Sequence, residues 1–451
     1  MGYNFIDKYL KGLKRAKVAS EDSNSVYNLR AVVRETGLTP DTLRVWERRY
    51  GLPQPKRTAG GHRLYSQRDI DTIKWLVAKR DAGLSISQAV SLWKQTVRHG
   101  PDPDPLKHFS PTVPRNDSDP VTFRKAWVEH CLAFDEKRGE QVLASASTLY
   151  LRALVCTEII QRGLVEAGEL WYKGEISVHQ YCFLVELAVR RLETWLASVP
   201  EPTRPQRVLL GNPTQEQHTL GILLLALLLR WDGWGVVYLG GNLPLSNLAD
   251  TVRRIEPTVV VLSAQQLHTA ANLAEAARLL QDTGALVAYG GRIFNLLPAL
   301  RQYIRGHFIG EELTAATEAL DRLLRNTPPL PASQTAAQEF VLAADCYRAQ
   351  EHRFEAQLHD NLKDLDINAA QVHEANEHLR RNILAALYFG DMELLSQEIF
   401  WIERLLAYHR IPVNLLYRYL NVYYRTAKTF LGGECRPIIA WLARLTGNEP
   451  S

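Results

Sequence analysis

The residues best suited to chemistry form a short run, Glu216-Gln217-His218-Thr219-Leu220-Gly221, between the apolar segment Val208-Leu209-Leu210 and a longer apolar stretch. A histidine just past a strand, with a glycine three residues on, can carry a ring nitrogen clear of the protein surface toward a metal or ligand. Most histidines in such a place are structural or lie on the surface. What would distinguish His218 is its setting, and the setting depends on the elements around it.

Those elements alternate. Arg207-Val208-Leu209-Leu210-Gly211 reads as a short buried strand, followed by the His218 loop and a helix to Trp231. Further strands are expected over 236–240, 258–263, 285–291 and 307–310, with a helix over 245–254. This alternation predicts a doubly wound parallel sheet, whose ligands bind beyond the carboxyl ends of the strands. His218, Gly240-Gly241, Ser263 and Gly290-Gly291 all fall at such ends, where glycines let backbone approach a bulky ligand. No glycine-rich dinucleotide fingerprint follows the first strand, which argues against NAD.

The chain is longer than one ordinary core, and about two to four domains are expected. Its net charge of +4 conceals an asymmetry. Residues 26–98 hold 14 Lys and Arg against 6 Asp and Glu, so the basic end points to a polyanion partner. Five scattered cysteines without C-x-x-C spacing argue for reduced thiols in the cytosol, and against a disulfide frame or zinc knuckle. The first 25 residues lack the apolar core of a signal peptide. The apolar run from Leu220 to Leu229 is too short to span a bilayer. The expectation is a cytoplasmic protein with no membrane partner.

After a polar arm (1–25), residues 26–98 read as short helices and a hairpin. Thr39 can cap a helix with Pro40 at its first position, and Leu43 and Trp46 alternate with Arg44, Arg48 and Arg49. Thr58 to Tyr65 reads as a tight hairpin with glycines at the turn, supplying His62, Arg63 and Tyr65 as donors near a phosphate backbone. The run Leu43 to Leu52, with Pro55, Arg57-Thr58, Gly61, Arg63 and Tyr65, resembles the MerR-type winged helix-turn-helix. The resemblance implies a dimer on palindromic double-stranded promoter DNA. Arg44, Arg48 and Arg49 would lie on the recognition helix, and His62, Arg63 and Tyr65 on the wing.

Residues 99–120 contain six prolines and read as a linker. Residues 121–203 are helical throughout and predict a four-helix bundle. Within it, Trp171 precedes a glycine-containing corner and a helix that Ser177 can cap.

The sheet region, 204–325, resembles the cobalamin-binding domain of methionine synthase and the corrinoid mutases. Their signature is Asp-x-His-x-x-Gly, then Ser-x-Leu and Gly-Gly at later strand ends. The resemblance implies His218 as the lower axial cobalt ligand, Glu216 as the acid holding its other nitrogen, and Gly221 as a point of close approach. It also places Ser263 and Gly290-Gly291 beside the nucleotide tail. Here Glu stands for Asp, and Gln265 for the leucine.

The order of winged helix, bundle and sheet is similar to the light-responsive MerR repressors of carotenoid genes. That implies adenosylcobalamin, or another corrinoid, between bundle and sheet, and a cofactor-linked dimer or tetramer. In those repressors a bundle tryptophan is followed after nine residues by Glu-His. Trp171 matches the tryptophan, but Tyr181-Cys182 occupy the place of the pair. Cys182 and His179, three residues earlier on the same helix face, are the candidate substitutes, although a cysteine in this place is more often a small buried hydrophobe.

A second linker (326–334) leads to a helical, aromatic-rich segment, 335–451, with His352, His359, His373, His378 and His409. It reads as a dimerisation domain or as a pocket for a planar pigment, a bilin or haem.

The expected fold is therefore multidomain, α and α/β. The expected function is a non-enzymatic DNA-binding regulator controlled by a corrinoid at His218. The alternatives are a sensor whose effector sits in the C-terminal helices, and a corrinoid methyl carrier.

Overall fold

The computed structural model describes residues 27–28, 32–33, 36, 38–50, 56–57, 63–65, 73, 76 and 119–448, apart from 327, 332, 364, 366 and 367. His62, the glycines of the hairpin turn, the polar arm and most of the first linker lie outside the described residues. Two compact units form, one within 17–103 and one holding all described residues from 119 onward.

In the small unit, helix α1 (Pro40–Tyr50) starts where the cap predicts, because Thr39 Oγ1 accepts the Thr42 backbone N–H at 3.2 Å. Its apolar side buries Leu43 and Trp46, leaving Arg44 and Arg49 on the exposed side. Strands β1 (Tyr27–Asn28), β2 (Lys56–Arg57) and β3 (Arg63–Tyr65) form an antiparallel sheet with β3 in the middle. The hairpin register pairs Arg57 with Arg63, and Tyr27 pairs with Tyr65.

The large unit begins with the bundle: α2 (Pro120–Leu132), α3 (Glu136–Leu149), α4 and α5 (Val178–Ala197). Helix α4 runs as Arg152–Leu154, widens to a π-helix over Val155–Gln161, and returns to α-helix over Arg162–Tyr172. Ser177 caps α5 in a reciprocal capping box with Gln180.

The sheet contains β4 (Arg207–Pro213), β5 (Gly235–Leu243), β6 (Val259–Ser263), β7 (Leu286–Gly290) and β8 (His307–Phe308), all parallel, in the order β5-β4-β6-β7-β8. Its connecting helices are α6 (Leu220–Trp231), α7 (Leu248–Ile255), α8 (Leu267–Leu280), α9 (Arg292–Leu296) and α10 (Leu313–Arg325). Strand order reverses between β4 and β6, so the loops leaving those two strands border the crevice such sheets use for ligands. Strand β5 runs beyond the expected Gly240 to Leu243, because its pairing with β4 resumes at Pro213 after an irregularity. Helix α6 is apolar all round because it is buried on two sides. Leu223, Leu224 and Leu227 join the bundle core, while Ile222, Leu225, Ala226 and Leu229 pack on the sheet.

The C-terminal helices are α11 (Gln338–Asn361), α12 (Ala369–Phe389), α13 (Leu394–Tyr408), α14 (Asn414–Phe430) and α15 (Arg436–Thr446). They share one continuous core with α8 and a face of the sheet, and Leu405 of α13 enters the bundle core. Tyr303 and Phe389 meet edge to face at 5.3 Å across this junction. Tyr419, Tyr423, Tyr424 and Phe389 are buried, whereas Phe400 and Tyr408 remain exposed.

Candidate functional site

The loop leaving β4 turns sharply, with Gln215 at positive φ, and delivers Glu216 and His218 to the crevice. Glu216 is 0% exposed, and both of its carboxylate oxygens are occupied. Oε1 lies 2.6 Å from His218 Nδ1 and accepts the His218 backbone N–H at 2.9 Å. Oε2 accepts the Gln265 backbone N–H and the Thr269 hydroxyl, both at 2.7 Å. Burial alone would raise this carboxyl. The hydrogen bond and charge of His218, with the Thr269 hydroxyl, outweigh it and hold the group below the ordinary carboxylate range. A charged acceptor therefore fixes the His218 ring, whose side chain keeps 30% exposure.

Gln265, the residue at the leucine position of the corrinoid signature, ties three loop ends together. Its backbone reaches Glu216, its side-chain nitrogen donates to Ser263 Oγ at 2.9 Å, and its side-chain oxygen accepts the Arg292 N–H at 3.1 Å. Ser263, expected beside a nucleotide tail, thus has its hydroxyl turned to Gln265. Gly291 is required by protein packing: at φ +121° a Cβ there would fall 2.0 Å from the Ala264 carbonyl oxygen. A Cβ on Gly290 would make only ordinary contact with Ile309, and one on Gly221 would meet nothing within 4 Å.

Spacing arguments pass over Thr269 and His268, and mark Gln265 only as a departure from the signature. For Thr269 a signal existed, since a hydroxyl three residues after the first turn residue Gln266 makes a reciprocal cap, and Gln266 and Thr269 form one. His268, 5% exposed, sits beside Thr269 with its ring edge-on to His378 of α12 at 6.5 Å. Burial first, and then His378, push its pKa down to about 4. His378 in turn meets Glu398 at 3.0 Å. The C-terminal helices therefore reach to the back of the Glu216 network.

Around Trp171 the chemistry is aromatic. Trp171 is buried at the end of α4, stacked on Tyr181 at 6.1 Å, with the His409 ring at 6.2 Å and His409 Nε2 3.1 Å from the Trp171 carbonyl oxygen. Tyr172 stacks on Trp401 at 5.6 Å. His179 is exposed and Cys182 half-buried on α5. An imidazole does stand near Trp171, but it comes from 238 residues away rather than from position 182.

In the small unit Arg44 is exposed and pairs loosely with Asp41 at 3.1 Å. Arg63, expected to face phosphate, donates to Glu47 at 2.6 Å and so braces the wing against α1. Tyr65 corrects its expectation as a DNA contact: at 1% exposure it is core beneath the wing. Among the described residues no three His, Cys, Asp or Glu side chains are placed to hold a metal alone. Among the described residues no helix is long and apolar enough to cross a membrane.

Residues 27–95 match the MerR HTH family regulatory protein model, and residues 206–320 match the B12 binding domain model. The HTH-type transcriptional repressor CarA of Myxococcus xanthus is 30% identical over 240 residues, 52% of this chain and 75% of that relative. The chain belongs to the same family as CarA, regulators that join a MerR HTH to a B12-binding domain. The HTH-type transcriptional repressor CarH of Myxococcus xanthus is 28% identical over 290 residues, 63% of this chain and 96% of its own length. More than a third of this regulator lies outside that match. Among solved structures, the monomethylamine corrinoid protein of Methanosarcina barkeri is 16% identical with a TM-score of 0.36, covering 45% of this chain and 96% of that one.

Proposed function

We propose that this chain is a transcriptional repressor, not an enzyme, whose promoter binding is governed by a cobalamin held at the Glu216–His218 loop. The observation that carries the reading is the pairing of His218 Nδ1 with a buried, charged carboxylate at 2.6 Å. The carboxylate fixes the orientation of the ring and raises the basicity of the imidazole that would meet the metal. A corrinoid would bring its own cobalt, and His218, oriented by Glu216, would be the residue to hold it. The donor set fits that group: one histidine oriented by one acid, with open space at Gly221. Glu216 orients the ring, Thr269 and the Gln265 backbone hold Glu216, and Gln265 keeps the β4, β6 and β7 loop ends in register.

Arg44 and Arg49, on the exposed side of α1, would read DNA, with Arg48 on the same helix. Arg63 would act by holding the wing to that helix through Glu47. Cofactor binding between bundle and sheet would shift a monomer–oligomer equilibrium, since a ligand that prefers one assembly favours it by its difference in affinity. Oligomerisation would then pair winged helices on promoter DNA in the cytoplasm.

A gel-shift titration on the DNA upstream of the protein's own coding region, with and without cobalamin, tests this reading. Cobalamin should change the apparent affinity by about tenfold or more at fixed salt. Arg44→Ala should weaken DNA binding by about 1–3 kcal/mol while cobalamin uptake stays unchanged. DNA binding indifferent to cobalamin would contradict the reading, and absence of DNA binding at low salt would favour a corrinoid carrier instead.

A further inference from the structure

Two cysteines that lie 89 positions apart in sequence meet in the C-terminal helices. Cys346 on α11 and Cys435, the residue before α15, bring their sulfurs to 2.9 Å. That is within about 1 Å of the ~2.05 Å disulfide bond. Cys435 is fully buried, whereas Cys346 is half-buried, with the Gln350 side-chain nitrogen donating to its sulfur at 3.1 Å. The elements they join are the first and last helices of this helical segment.

We propose that Cys346 and Cys435 form a redox-modification site, closing to an intramolecular disulfide when the protein meets a peroxide. Accessibility assigns the roles. Cys346 is the sulfur a small oxidant reaches, and Cys435 is the buried partner placed to resolve the product. Burial, reinforced by the hydrogen bond to Cys346, keeps Cys435 in its thiol form until then, with its pKa raised well above the ordinary value.

In the first step the Cys346 sulfur attacks one oxygen of hydrogen peroxide. An S–O bond forms, the O–O bond breaks, and the thiol proton leaves with the departing hydroxide as water. In the second, the Cys435 sulfur attacks Cys346. The S–S bond forms, the S–O bond breaks, and the Cys435 proton leaves with the hydroxyl as a second water. Two thiols lose two electrons in total, and one peroxide gains them. The product staples α15 to α11, closing a long loop that the unfolded chain must then retain.

The experiment uses the full chain. Reduced protein is exposed to a small excess of hydrogen peroxide, quenched, alkylated under denaturing conditions and mapped by mass spectrometry. Before alkylation the expected product is about 2 Da lighter than the reduced chain. It should contain one cross-linked peptide pair spanning Cys346 and Cys435, while Cys131 and Cys156, buried in the bundle, remain alkylatable. The urea midpoint of the C-terminal helices should rise on oxidation and fall back with dithiothreitol. Cys435→Ser should leave a dimedone-reactive sulfenic acid at Cys346 and no cross-link. Full alkylation of both thiols after peroxide treatment of the wild-type chain would overturn the proposal, as would oxidation at Cys182 that leaves this pair untouched.

Discussion

The crevice loops around Glu216 and the bundle corner around Trp171 are built on opposite principles. Around the Glu216 carboxylate the contacts are directed hydrogen bonds from loop ends of one sheet and the first turn of α8: two oxygens accept four donors within 2.9 Å. Around Trp171 the contacts are mainly ring faces and edges, and most of them come from α13 and the residue after it. Hydrogen bonds to a buried charge orient a side chain within narrow limits, whereas aromatic packing covers a surface and tolerates adjustment. The His218 side is therefore set by hydrogen bonds among the sheet's loop ends and α8, with the C-terminal helices only backing it through His268. The Trp171 side is a joint product of the bundle and the C-terminal helices.

The largest test of this contrast is Trp171→Ala. Loss of a buried tryptophan should cost about 3–5 kcal/mol in urea unfolding. The Glu216–His218 geometry should persist, read as an unchanged NMR signature of the His218 ring. Loss of that signature would show that the two sides are not independent.

Second comes pH. His268, with His378, Arg381 and Glu398 facing it from the C-terminal helices and Glu216 from the loop, has its pKa lowered from 6.5 to about 4. A group whose folded pKa is depressed contributes stability that is complete above its unfolded value and is lost as pH falls. Stability should therefore drop by about 3 kcal/mol between pH 6.5 and 4. His268→Leu should remove that share of the drop; an identical pH profile in both proteins would remove His268 from the account.

Smaller is Glu216→Gln, which keeps the shape and removes the charge. It should cost about 2 kcal/mol, the scale of hydrogen bonds to a charged group. Stability unchanged within ~0.5 kcal/mol would mean the network does not depend on a carboxylate.

The same contrast explains what could be read from the chain. The strands and the Glu216–His218 loop were legible because valine and leucine runs and a glycine at fixed spacing are local signals. The all-apolar α6 was visible as a helix, but its two partners were not, since burial on both sides is a property of three layers. Gln265 read as a departure, yet its side chain bridges Ser263 and Arg292, which only the assembled loop ends bring together. Arg63 read as a phosphate donor because its spacing is that of a wing; its bond to Glu47 follows from how the wing folds onto α1. His409 was one of several histidines in a helical segment. No periodicity within 335–451 could say that it would lie against Trp171, because that contact spans separate helical layers.

The central claim is that His218, held by Glu216, meets the metal of a cobalamin. The most direct measurement is the absorption spectrum of the full chain reconstituted with cobalamin, compared between wild type and His218→Ala. The account predicts that the wild-type spectrum carries the signature of a nitrogen below cobalt from the protein, that His218→Ala loses it, and that added imidazole restores it. An identical spectrum in the two proteins would contradict it.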